Sequence, residues 1–99
     1  MFHVESNNYT VKFTFKHTKL DNLMEINHRL IHAVTQCDLT VNNENFTGIA
    51  ACVVGDNFNK EIGRKIALTR AVQKAGLPKE VRADIWIAYF SRGTNERAA

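Results

Sequence analysis

Two histidines and two cysteines, His28, His32, Cys37 and Cys52, are the side-chain types that zinc prefers. Their order and gaps do not match a finger, and no Cys-x-x-Cys hairpin is present. If the chain from Leu30 onward is a strand, the two histidines also lose the helical face that a four-residue spacing would give them. No metal is therefore expected. Nucleophilic catalysis finds no better footing. Cys52 lies in an apolar stretch where a thiol stays protonated and inert, and Ser6 and Ser91 sit outside any nucleophile motif. Asp21, Glu25, Asp38, Asp56, Glu61, Glu80 and Asp84 are scattered, with no spacing that brings two carboxylates together for acid–base work. Gly55 and Gly63 do not form a phosphate loop followed by Lys-Ser or Lys-Thr. The expectation is a non-enzymatic protein with no catalytic residue and no cofactor.

The cations are more patterned. In GDNFNKEIGRKIALTRAVQKAGLP, Gly55 to Pro78, spacing at 100° per residue gathers Lys60, Arg64, Arg70 and Lys74 into one sector, together with Asn59, Gly63, Ala67 and Ala71. Phe58, Ile62, Ile66, Leu68 and Val72 are left for the core, and Lys65 falls within that apolar arc. Small residues between cations would let a polyanion approach closely, so one reading is phosphate binding. The other is an ordinary solvated helix face. Lys65 either snorkels past its apolar neighbours or holds its amine at a site.

These residues need elements to position them. YTVKFTFKH alternates, with Tyr9, Val11, Phe13 and Phe15 on one side and Thr10, Lys12, Thr14 and Lys16 on the other, which predicts a half-buried strand with a cationic outer face. Residues 20–34 fit a helix or a strand. The reading adopted is a helical turn over Asp21–Ile26, then a strand over Leu30–Val41. The turn NNEN and a buried strand over Thr47–Val54 complete an antiparallel hairpin. Asp56 is the expected N-cap of the long helix and Gly76 its C-terminal stop. Pro78 then opens a second helix, Lys79–Phe90, that carries Val81, Ile85, Trp86, Ala88 and Tyr89 toward the core.

The segment GIAACVVGDNFNKEIGRKIALTRAV resembles a motif of small tailed-bacteriophage proteins: a Gly-x-Ala-x-Cys strand at Gly48, Ala50 and Cys52, then Asp56, Phe58 and Lys60, then Gly63, Arg64, Lys65, Ala67, Leu68, Arg70 and Ala71. The resemblance covers the C-terminal half and continues loosely into RADIWIAYF. It implies a phage accessory protein acting in the infected bacterial cytoplasm, and it carries no mechanism. Three strands followed by a basic helix also resemble double-stranded-RNA-binding domains, although the Lys-Lys and Ala pattern of their last helix is not reproduced.

At 99 residues, with 44% hydrophobic and 23% charged residues, the chain suits one domain with one core, its tail 91–99 loose. No apolar run is long enough to span a bilayer, and the N-terminus lacks a secretory pattern, so no membrane partner and a cytoplasmic location are expected. The expected fold is α+β: a small three-stranded antiparallel sheet covered on one face by one long and one shorter C-terminal helix. Two classes of partner remain open. Nucleic acid would meet Lys60, Arg64, Lys65, Arg70 and Lys74, with Lys12 and Lys16. A host enzyme, a defence complex or another nucleoprotein complex would instead meet that face or the aromatic anchors Trp86, Tyr89 and Phe90. A net charge of +3 favours acidic partners without choosing between these classes. An open sheet edge could also pair with a second copy of the chain.

Overall fold

The computed structural model describes residues 2–54 and 59–98, with side chains through Ser91. Four strands come first: β1 Phe2–Ser6, β2 Tyr9–Ile26, β3 Arg29–Val41 and β4 Glu44–Val53; the helices α1 Lys60–Ala75 and α2 Lys79–Ala98 follow. The strands form one antiparallel sheet in the order β1-β2-β3-β4, a meander in which every strand pairs with its neighbours in sequence. The sheet has one strand more than the sequence reading expects. The additional strand is Phe2–Ser6, whose alternation over five residues is too short to register as a period.

Three turns make the meander. Asn7-Asn8, Asn27-His28 and Asn42-Asn43 each place two consecutive residues at positive φ, between 47° and 72°. That is the backbone signature of type I′ hairpins, whose twist matches that of the flanking strands. Asparagine tolerates this region better than most side chains, which explains its presence in all three turns. Asn42 also fastens its turn to β2, its Oδ1 accepting from the Thr10 amide at 2.8 Å.

The segment Asp21–Ile26, expected as a helical turn, belongs to β2. Its helix-like spacing comes from a bulge. Between the pairs Lys19↔Ala33 and Met24↔Ile31, β2 carries Leu20, Asp21, Asn22 and Leu23 opposite His32 alone. The extra residues break the two-residue period and allow the strand to continue as an arm past the layered core, with Leu23, Met24, Ile26 and Leu30 exposed.

Both helices lie on one face of the sheet, α1 over β3 and β4 and α2 over β1. Asn59 caps α1, its Oδ1 accepting from the Ile62 amide at 3.2 Å. Asp56, the expected cap, lies outside the described residues, as do Gly55 and Phe58. Gly76 ends α1 at φ 63°, with its N–H reaching the carbonyls of Val72 and Gln73, as the sequence predicts. Pro78 precedes α2, which runs past Phe90, where the sequence reading ends it. Beneath the helices, Val11, Phe13, Leu39, Leu68, Val81, Ile85 and Tyr89 are fully buried. Phe2 stacks on Phe13 at 4.5 Å, and Phe15 meets Tyr89 edge-on at 5.7 Å.

The orientation of α1 differs from the sequence expectation. Ala67 and Ala71 are fully buried, whereas Ile62 is 54% and Ile66 39% exposed. The sheet explains the difference. A Cβ added at Gly48 would lie 2.0 Å from the Ala67 carbonyl oxygen, and one at Gly63 would lie 2.5 Å from Thr35 Oγ1. Gly48 on the sheet and the Gly63–Ala67–Ala71 stripe on the helix are therefore in direct contact, and bulkier isoleucines could not enter that seam. The stripe expected to open the backbone to a polyanion instead closes α1 onto the sheet.

Candidate binding surface of the helical layer

The rotation of α1 decides where the cations go. Arg70 and Lys74 flank the buried stripe on the β4 side. Arg70 Nη1 donates to the Ile49 carbonyl at 2.6 Å and Lys74 Nζ to the Thr47 carbonyl at 2.7 Å. Two outward-facing acceptors of the edge strand are thus covered by side chains of the helix above it, a recognised way of blunting a sheet edge. Lys60 is exposed at the start of α1. Lys12 and Lys16 stand on the opposite, open face of the sheet, in a row with Thr10, Thr14 and Thr18. The cations named from the sequence therefore do not form one continuous surface.

Arg64 turns inward to a polar network that joins four elements. Its Nη2 donates to Glu61 Oε2 at 2.7 Å, its Nε to Tyr89 Oη at 3.4 Å and its Nη1 to His17 Nε2 at 3.4 Å. Tyr89 Oη donates in turn to Glu61 Oε2 at 3.0 Å. A guanidinium can only donate, so His17 Nε2 accepts and its proton sits on Nδ1, which donates to Thr35 Oγ1 at 2.9 Å. Burial, with Arg64 and Lys60 close by, holds the His17 pKa below its ordinary 6.5. Burial opposes the charge on Arg64, but hydrogen bonds to Glu61 and Tyr89 together outweigh it and raise its pKa. The network clamps β2, β3, α1 and α2 together. The sequence gives His17 and Thr35 no functional role and shows Glu61 only as one of several scattered carboxylates, yet one signal marks the site: His17 continues the inward-facing row of Val11, Phe13 and Phe15 with a polar residue.

The three candidate aromatic anchors separate. Tyr89 is fully buried and belongs to the core and the network. Trp86 is half-buried, and Phe90 is 57% exposed, stacked on Trp86 at 5.7 Å. Ile87, unremarked in the sequence, is 65% exposed. With Ala83 they make a helical stripe at Ala83, Trp86, Ile87 and Phe90, the spacing of one continuous face. Lys65 holds its ammonium 5.5 Å from the Phe90 ring centroid and 3.9 Å from Glu61 Oε1, so it caps the aromatic group from α1. Lys79 and Arg82 are exposed on the same helix.

Cys37 is fully buried, and burial, with Asp38 adjacent, pushes its thiol up to about 12. Cys52, expected from the sequence as an inert thiol in an apolar strand, is half-buried with its Sγ 3.3 Å from His32 Nε2. Among the described residues no three His, Cys, Asp or Glu side chains gather as a metal ion would require. None of the described helices is long and apolar enough to cross a membrane.

An antiparallel four-stranded meander, covered on one face by two helices whose outer surface mixes cations with exposed aromatic and aliphatic side chains, defines a small two-layer α+β protein. The chain belongs to the phage protein (N4 Gp49/phage Sf6 gene 66) family, which it matches over residues 3–76, the sheet and the whole of α1. No curated protein and no solved structure matches it.

Proposed function

We propose that this protein is a non-enzymatic phage accessory protein that binds an acidic host protein through the outer surface of its helical layer. The observation that carries this reading is the exposed stripe of α2, with Ile87 and Phe90 each more than half exposed beside half-buried Trp86. Large apolar side chains held in place by stacking are the residues that anchor protein interfaces. Lys65 against Phe90, with Lys79 and Arg82 exposed along α2, together outnumber the exposed Glu80 of the same helix and suit a partner whose apolar surface is rimmed by carboxylates, since opposite charges steer the encounter and fix its register. An anti-defence role, in which the partner is a host enzyme or a defence complex, fits this surface. Direct nucleic-acid binding is the competing reading. Two of its four principal cations spend hydrogen bonds on strand carbonyls, and Lys12 and Lys16 face away from them.

Affinity capture from bacterial lysate, with and without nuclease, tests the two readings in one experiment. The expected result is a discrete partner that survives nuclease and is lost with Ile87→Asp and Phe90→Asp, while the stability from urea unfolding stays within about 0.5 kcal/mol of wild type. Capture abolished by nuclease, or undiminished in both variants, would overturn the proposal.

A further inference from the structure

His32 occupies an irregular place in the sheet. Toward β4 it is an inserted residue, because Ile31 pairs with Val53 and Ala33 with Cys52, leaving no partner position for residue 32. Toward β2 it faces the four-residue bulge Leu20–Leu23. Bulges redirect side chains, and this one is accompanied by an imidazole nitrogen 3.3 Å from the Cys52 sulfur, within reach for proton transfer. Cys52 is half-buried on an edge strand, where a small reagent can reach it. Cys37, buried opposite Gly48, is an internal control in the same chain.

We propose that Cys52 and His32 form a thiol-exchange site, with low-molecular-weight disulfides of the glutathione class as co-reactant. As Cys52 Sγ attacks one sulfur of the disulfide, its proton passes to His32 Nε2. A new S–S bond joins Cys52 to that sulfur, and the reagent's own S–S bond breaks. The departing thiolate takes the proton back from the imidazolium. Cys52 is oxidised to a mixed disulfide, and the departing half of the reagent is reduced to a thiol. Cys37 is sealed in the core and cannot resolve the adduct, which therefore persists until an external thiol removes it. The site is reversible and responds to the thiol–disulfide balance of its surroundings.

The test is incubation of the full-length folded protein with oxidised glutathione, followed by intact mass and peptide mapping. One glutathione per chain is expected, on Cys52, formed faster in the folded protein than in the same protein in urea. His32→Gln should lower the folded-state rate by at least about ten-fold, as expected when a positioned base is removed, and in urea variant and wild type should react alike. Cys52→Ser should take up none. A wild-type rate no faster folded than unfolded would overturn the proposal, and that comparison needs no variant. So would a folded His32→Gln protein that reacts as fast as wild type.

Discussion

Gly48 offers the sharpest test of how the two layers meet. Replacing it with alanine adds one methyl group, whose carbon would lie 2.0 Å from the Ala67 carbonyl oxygen and 2.5 Å from the Ala71 amide nitrogen. Both atoms are helix backbone, so no side-chain rotation relieves the clash. Restoring an ordinary 3.4 Å contact with the nearer atom requires a separation of about 1.4 Å between β4 and α1. Gaps of about 0.5–1 Å already forfeit a quarter to a half of the dispersion energy between packed atoms, and Ala67, Leu68, Ala71 and Val72 are all buried along α1. Overpacking ordinarily costs about 1–3 kcal/mol where neighbours can yield. With backbone as the obstacle, Gly48→Ala should cost about 3 kcal/mol or more, a drop in Tm of about 12–24 °C for a domain of this size. Two other glycines calibrate the result. Gly63→Ala gains about 1 kcal/mol of helix propensity, but its methyl group would displace the Thr35 hydroxyl, 2.5 Å away, so it should be mildly destabilising despite its mid-helix position. Gly76→Ala meets nothing within 4 Å and should cost only the left-handed conformation, about 1 kcal/mol. Urea unfolding of the three variants, read at constant m, checks the order. A Gly48→Ala midpoint equal to that of Gly76→Ala would refute the direct seating of α1 on the sheet.

Acid should weaken the clamp. The folded pKa of His17 lies below the unfolded value of 6.5, so its contribution is complete above that pH and is lost as the pH falls from 6.5 through the folded value. His17→Asn should flatten the urea midpoint between neutral pH and pH about 5, and an unchanged slope would remove His17 from the explanation. Arg70→Ala with Lys74→Ala should lower stability only slightly, since exposed polar contacts contribute about 0–1 kcal/mol each. It should, however, uncover the β4 edge, and concentration-dependent association by sedimentation would report this; a strictly unchanged mass would mean the edge is protected otherwise. Cys37 should resist alkylation in the folded protein at neutral pH, since burial keeps its thiol protonated, and should react only on unfolding.

Much of the architecture is legible in the chain because local chemistry and global fold agree. The alternation from Tyr9 to Phe15, the Asn42-Asn43 turn, the left-handed Gly76 and the helix that follows Pro78 each follow from nearest-neighbour physics. The rotation of α1 does not. A helix read alone assigns its large aliphatic residues inward, and nothing within Lys60–Ala75 reports that the opposing surface carries Gly48, Ala50 and Thr35, which select a small-residue face. Residues 20–34 look ambiguous because the bulge at Leu20–Leu23 changes strand parity at its midpoint. The candidate surface is half legible for a similar reason. Composition singles out Trp86, Tyr89 and Phe90, but only packing against Phe2 and Phe15 separates the buried tyrosine from the exposed phenylalanine.

The meander has a consequence for the order in which the molecule opens and closes. Each sheet pairing requires closure of only a two-residue loop, so β2, β3 and β4 can zip from their turns with little loss of chain entropy. The closure between β1 and α2 spans almost the entire chain, fastened by Ser6 to Asp84 and by the rings of Phe2 and Tyr89. The first strand and the last helix therefore hold each other, and they should detach as one cooperative unit ahead of the central hairpins. Native-state hydrogen exchange would show the amides of Phe2–Ser6 and of the first turns of α2 opening at a common free energy below that of β3. The surface proposed for partner binding would then share its lifetime with the five-residue strand at the other end of the chain.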